Sequence, residues 1–182
     1  MKQEEMELYM ALLKGMVSLL KLKKYNDITK EELCEISNVD LETFNKNFNS
    51  VEDFTIKGME NMYEINGKRF ESILDFNDLL KEFIIAHLKA IDNIRGNNKK
   101  IDESIDSSSS KLYYICFKEI ENFIKKQYAT RKNPEIKEHE EELYLYRLST
   151  RILSFLAYFY NNPTTSIDKM IERIDSTIRV SN

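Results

Sequence analysis

Tyr25-Asn-Asp-Ile28-Thr29-Lys-Glu-Glu32-Leu33-Cys-Glu-Ile36-Ser-Asn38-Val39-Asp40-Leu-Glu42-Thr43-Phe44-Asn45-Lys46-Asn47-Phe48-Asn-Ser50-Val51-Glu52-Asp53-Phe54 holds three helix starts and one tight turn within thirty residues. Thr29 followed by Glu32 has the spacing of a capping box, which predicts a helix from about Lys30 to Ser37. Asn38 and Val39 form a turn, Asp40 is a good N-cap, and Leu41, Phe44 and Phe48 then recur at helical spacing through about two turns. Ser50 with Asp53 opens a further helix in which Phe54, Met59, Met62 and Tyr63 are apolar. A helix, a short turn and a second, two-turn helix have the proportions of a helix-turn-helix, whose second helix can enter a DNA major groove.

Working outward, Met6, Tyr9, Leu13, Met16, Val17 and Leu20 mark one face of a first helix over Gln3 to Leu22. Beyond the fourth helix the grain changes to longer helices and longer polar connections. Asn77 or Asp75 caps a helix carrying Leu79, Leu80, Phe83, Ile84, His87, Leu88 and Ile91, which ends near Gly96. Residues 97–110 are polar and hold four consecutive Ser, so they read as a loop. Lys111 to Tyr128 is predicted helical, Pro134 separates it from a helix over Glu135 to Tyr160, and a last helix runs from about Ser166 to Val180 after Pro163. The expected fold is all-α: an N-terminal three-helix helix-turn-helix unit over residues 1–50, then a helical regulatory and dimerisation domain over 51–182, entered through the fourth helix.

Composition agrees. The 182 residues include only four Gly and two Pro, with 42% apolar and 32% charged side chains, which leaves little turn chemistry for strands. Three Glu precede the first apolar run, and no apolar stretch approaches the ~20 residues of a membrane span, so a soluble, cytoplasmic protein is expected. Cys34 and Cys116 stand far apart without a CxxC, as reduced thiols in a core would. The net charge of -4 argues against a partner bound by bulk attraction to nucleic acid, though a local basic patch is compatible with it.

The quoted stretch resembles the signature of the tetracycline-repressor-like (TetR) family. That pattern has an aromatic after helix 1, Ile-Thr opening helix 2, Gly-Val-Ser, Thr-Phe-Tyr, an aromatic, and Ser-Lys-Glu-Asp-Leu opening helix 4. Thr29, Leu33, Ile36, Val39, Thr43, Phe44, Phe48, Ser50, Glu52, Asp53 and Phe54 match it in type and spacing. The resemblance covers about the first 60 residues. It implies a homodimeric regulator whose first three helices bind double-stranded operator DNA, and whose remainder dimerises and binds a ligand.

For DNA contact the candidates are Thr29, Lys30, Thr43, Asn45, Lys46 and Asn47, with Lys21, Lys23, Lys24 and Lys57 near phosphates. Two donors usual in the family are replaced: Asn45 stands where Tyr is common and Val51 where Lys is common. Asp40 and Glu42 bring carboxylates to the start of the third helix, and a phosphate backbone repels them. Across residues 1–69 there are 10 Lys plus Arg against 13 Asp plus Glu, and the first Arg is Arg69, so the bidentate guanine reader is missing from the unit. A second reading is therefore a coactivator or interaction protein that keeps the fold, has lost sequence-specific DNA binding and meets a protein partner.

Met62, Tyr63, Phe83, His87, Tyr113 and Phe117 are the candidate lining of a cavity for a small hydrophobic ligand, although residues of these types more often form ordinary core. Leu145, Leu148, Ile152, Phe155 and Phe159, with Ile167, Ile171 and Ile174 of the last helix, form the candidate dimer surface, two helices per subunit; an internal core stripe is the alternative. No catalytic motif, metal-ligand spacing or cofactor-binding loop occurs, so neither an enzyme nor a bound cofactor or metal is expected.

Overall fold

The computed structural model describes residues 3–95, 111–132, 136–162 and 164–179, and within them the chain is all-α with no strand. In chain order the helices are α1 (Gln3–Leu20), α2 (Lys30–Ser37), α3 (Leu41–Asn47), α4 (Val51–Arg69), α5 (Phe76–Arg95), α6 (Lys111–Tyr128), α7 (Glu141–Asn161), α8 (Ile167–Ile171) and α9 (Ile174–Ile178). Short 3-10 turns lie at Tyr25–Asp27 and Glu138–Glu140. Of the two candidate caps for α5, Asp75 is the one used: its carboxylate accepts the Asp78 N–H at 2.9 Å. The predicted loop over 97–110 and the two prolines, Pro134 and Pro163, lie outside the described residues.

Two hydrophobic clusters organise the chain. In the first, α1 lays Leu12, Met16 and Leu19 against Leu33 and Cys34 of α2, Phe44 of α3, and Phe48 and Phe54 around the start of α4. Burying each large side chain of this kind stabilises the fold by roughly 1.5–3 kcal/mol. Gly15 lets α1 and α2 come this close, because a Cβ there would collide with the Ser37 side chain and meet Ile36 at 2.9 Å. The second cluster joins α5 (Phe83, Ile84, Leu88), α6 (Ile120, Phe123, Ile124), α7 (Leu148, Ile152, Phe159) and α9 (Ile174, Ile178).

The clusters meet along α4 and at the start of α6. Ile115 of α6 is buried in the first cluster, with Leu112 packed beside it, and Met59 of α4 touches both. Tyr25, in the turn before α2, donates its hydroxyl to Thr55 of α4 at 3.0 Å. The core of the first unit is thus completed by a residue from the other side of the expected boundary at 50.

Three expectations need correcting. Helix α7 begins at Glu141, after the 3-10 turn over Glu138–Glu140, because Lys137 to Glu140 offers no apolar side chain to anchor an earlier start; Glu135, where the helix is expected to open, lies outside the described residues. The last helix is two short ones: at the break the Arg173 N–H bonds back to Met170 at 3.0 Å, a tightened turn that leaves Met170, Ile174 and Ile178 all buried. Most of the candidate dimer stripe lies inside the chain's own core. Leu148, Ile152 and Phe159 have no exposure, Leu145 and Ile174 are buried, and Phe155, Ile167 and Ile171 are half-buried against the same core. Side chains without accessible surface offer a partner nothing to touch. The exposed large residues of α7 are instead Leu143, Tyr146 and Tyr158, with Tyr114 of α6 exposed as well.

Candidate nucleic-acid interface

Each part of the helix-turn-helix is fixed by a local bond that its sequence supplies. Thr29 caps α2 by accepting the Glu32 N–H at 3.2 Å, while Glu32 accepts the Thr29 N–H at 3.1 Å, closing the capping box. The chain leaves α2 through Asn38 at φ 52°, the left-handed region where Asn is among the better-tolerated residues. Asp40 then caps α3, accepting the Thr43 N–H at 2.7 Å and the Thr43 hydroxyl at 2.6 Å. These two bonds hold the Asp40 carboxyl below the usual carboxylate range, the hydroxyl contributing most.

Most of the candidate contact residues are exposed. The Lys30 ammonium donates to the Asn45 side-chain Oδ1 at 3.1 Å, joining the start of α2 to α3. Asn45, Lys46 and Asn47 are exposed, Thr29 is exposed beside them, and Thr43 is half-buried with its hydroxyl already donated to Asp40. Asn47 turns its amide back onto the Thr43 carbonyl at 2.8 Å. Leu41, absent from the candidate list, is 37% exposed at the first position of α3. Its apolar character at a helix start was the available signal, and it reads as core until burial is known.

Several cations of the unit are taken up by nearby carboxylates. Lys46 pairs with Glu42 at 2.9 Å, Lys57 with Asp53 at 3.0 Å, and Lys23 is engaged by Glu32. Glu42, which has no capping duty, therefore neutralises the central cation of α3. Such exposed pairs are weak, worth about 0–1 kcal/mol, so a phosphate competes with them easily. Lys21, Lys24 and Lys30 make no ion pair among the described residues.

Hydrogen bonds from Lys23 first, then from the Thr29 backbone and hydroxyl, pull the Glu32 carboxyl down to about 2. A folded-state value below the unfolded one means that its contribution is complete above about pH 4.5 and is lost as pH falls toward 2. Between those limits the melting temperature of the wild type is expected to fall more than that of Glu32→Gln. Parallel slopes in a pH series of thermal melts would show that this cap does not contribute.

The candidate ligand residues separate into different surroundings. Phe83 has no exposure and its ring lies flat on Phe123, with centroids 4.4 Å apart, so the expectation that it lines a cavity is corrected: aromatic rings fill that space themselves. His87 bonds through Nδ1 to the Phe83 carbonyl at 2.8 Å and lies 3.3 Å from the Tyr63 hydroxyl through Nε2, and burial lowers its pKa. A neutral ring therefore donates from Nδ1 and accepts from Tyr63. Tyr63 also borders a groove of about 600 Å³ between α4 and α6. Met62 and His87 border a separate one of about 340 Å³ between α4 and α5. Tyr113 and Phe117 are half-buried against the second cluster, Phe117 meeting Tyr146 edge-on at 5.5 Å.

Both cysteines are free thiols, and burial pushes Cys116 up to about 12, which leaves it unreactive. Among the described residues no helix is long and apolar enough to cross a membrane, and no group of three His, Cys, Asp or Glu is placed to hold a metal.

No protein-family model and no curated protein matches the sequence. Solved structures do match. The chain aligns over 94% of its length with 93% of a dihydroxyacetone kinase operon activator, DhaS, at a TM-score of 0.61 and 12% identity. It aligns over 97% of its length with 96% of a TetR transcriptional regulator from Rhodococcus sp. RHA1, at a TM-score of 0.59 and 12% identity. The chain has the TetR-like fold. This agrees with the resemblance in the first 60 residues and extends it to α4–α9, where the sequence carries no such signature.

Proposed function

We propose that this protein is a DNA-binding transcriptional regulator of TetR type, acting as a homodimer that sets two copies of α3 into successive major grooves. The observation that carries this reading is the capped α2–Asn38–α3 unit, which leaves Asn45, Lys46 and Asn47 exposed, with Lys30 bonded to Asn45. Asn pairs well with adenine in the major groove, and lysines contact phosphate. Half-sites about 34–36 Å apart, or a multiple, follow from the two-fold geometry. Dimerisation is assigned to the outer face of α7, where Leu143, Tyr146 and Tyr158 share one helical side with Arg147, Thr150 and Ser154. Residues 1–50 serve as the DNA-binding unit and 51–182 as the regulatory one, with Ile115 and α4 coupling them.

Glu42 provides the test. Glu42→Gln is expected to release Lys46 and remove a carboxylate facing the phosphates. Its affinity for the DNA flanking the protein's own gene should then rise several-fold at low salt, on the order of one additional phosphate contact. Lys46→Ala is expected to weaken binding and to reduce the salt slope by about 1. Gel-shift titrations at two salt concentrations measure both. Identical affinities and slopes in the three proteins would remove α3 from the contact.

The pairing of Lys23, Lys46 and Lys57 with carboxylates favours a second reading, a TetR-like interaction protein that meets a protein partner without reading DNA. A genomic-fragment screen that retains no sequence while the protein stays dimeric selects that reading.

A further inference from the structure

We propose that α3 reads an A·T-rich half-site through one row of its surface, Leu41 touching a thymine methyl and Asn45 pairing with an adenine, while Lys30 of α2 sets the direction of the Asn45 amide. The proposal rests on the regulator reading above and names the sequence class that such a regulator takes. No Arg precedes Arg69, so the bidentate guanine reader is missing from the unit. Lys46 and Glu42, the side chains of α3 suited to guanine and cytosine, hold each other at 2.9 Å in the free protein. Thr43 donates its hydroxyl to Asp40, and Asn47 donates its amide to the Thr43 carbonyl.

Leu41 and Asn45 remain. They stand four residues apart, which places them on the same side of the helix, one turn above the other. Leu41 opens α3 and keeps 37% of its surface exposed, although Asp40 and Glu42 flank it in sequence. In a helix-turn-helix the start of the second helix meets the base edges, and the apolar group displayed there by the major groove is the thymine methyl. An exposed leucine is common by itself. This one is in line with an amide that suits the other base of the A·T pair.

Lys30 aims that amide. An ammonium only donates, so the Asn45 atom that meets it at 3.1 Å is Oδ1, and Nδ2 points the other way. Asn45 is exposed, and its Nδ2 makes no hydrogen bond among the described residues. A donor is thus left for adenine N7, beside an oxygen whose second lone pair can take the N6 amino group. Four residues rise about 6 Å along a helix, less than two base-pair steps of about 3.4 Å, so the two contacts fall no more than two pairs apart.

Selection of the full chain against a random duplex library supplies the preferred half-site, and base analogues within it test the contacts by gel shift at one salt concentration. Deoxyuridine in place of thymine removes only the methyl, and at one position it is expected to weaken wild-type binding on the order of fourfold, the worth of one buried methyl. Leu41→Ala is expected to bind both duplexes equally, while Leu74→Ala, which truncates a leucine 85% exposed outside the unit, keeps the wild-type preference. At an adenine no more than two pairs away, 7-deazaadenine removes N7 and is expected to cost at least about fivefold. Lys30→Met should lose that second preference and Lys30→Arg, which still donates, should keep it; a lysine that only touched phosphate would weaken both duplexes alike. Insensitivity of the wild type to either analogue at every position, an enriched half-site of G·C pairs alone, or wild-type preferences surviving in Leu41→Ala or Lys30→Met overturns the proposal and leaves the regulator reading in place. Enrichment of no sequence overturns both.

Discussion

Phe44→Ala is expected to lower the melting temperature by on the order of 10 °C and to abolish retention of DNA. Phe44 is fully buried, and its ring begins an aromatic chain through Phe48, Phe54 and Tyr9 with successive centroids 5.4, 5.2 and 5.3 Å apart. That chain ties α3 to α4 and α1. Removing the first ring costs about 3–5 kcal/mol through lost transfer energy and the cavity left behind. For a chain of this size each kcal/mol corresponds to roughly 2–4 °C. The loss falls on the recognition helix because α3 has seven residues, too few to persist as a helix without its packing. Thermal melts followed by circular dichroism, with gel shifts alongside, measure both effects. A melting point within 2 °C of wild type would mean that the first cluster does not hold α3.

Ile152→Ala and the pair Leu143→Glu with Tyr146→Glu are expected to act in opposite ways, which separates core from interface. Ile152 has no exposure and packs among α5, α7 and α9, so its truncation should cost about 2–5 kcal/mol while leaving the outer face of α7 unchanged. Leu143 and Tyr146 are about half exposed, so carboxylates there remain solvated in the free chain, and surface changes of this kind usually stay within ±0.5 kcal/mol. Two like-charged faces brought together by a two-fold axis repel each other, and light scattering should then report a monomer that still melts cooperatively. Dissociation by Ile152→Ala with unchanged melting would return the interface to the buried stripe.

The stripe shows where sequence reading reaches its limit. Leu145, Leu148, Ile152, Phe155 and Phe159 follow a three-four spacing that establishes a helix with one apolar side. That periodicity is the same whether the side is covered by the chain's own α5 and α9 or by a second copy. Only the placement of α9, through Ile174 and Ile178, decided that the chain covers it itself. The candidate cavity residues separated for a related reason, since a list of aromatic residues does not say whether their rings enclose space or fill it. Phe83 stacked on Phe123 fills it.

Glu119 and Gln127, which border the groove between α4 and α6, left a readable trace. With Ile115 and Phe123 they occupy one row of α6 at four-residue steps, so polar residues alternate with apolar ones on a side that faces inward. The pairing of Lys118 and Lys125 with Glu121, at 3.2 and 3.0 Å, is legible as well, because they stand three and four residues from it, whereas no lysine stands at those offsets from Glu119.

By itself the sequence determined the features that depend on neighbours along the chain. Thr29 with Glu32, Asn38, Asp40 with Thr43, and Ser50 with Asp53 are local bonds at fixed offsets, and they set α2, the turn, α3 and the start of α4 where the spacing predicts them. Tertiary structure decided what each face meets: that Ile115 of α6 completes the first cluster, that Ile152 is enclosed by its own chain, and that Glu119 faces a groove. Those outcomes depend on which helix lies across from which. They are settled by packing between residues as far apart as Ile152 and Phe83, or Glu60 and Glu119, whose separation no local pattern encodes.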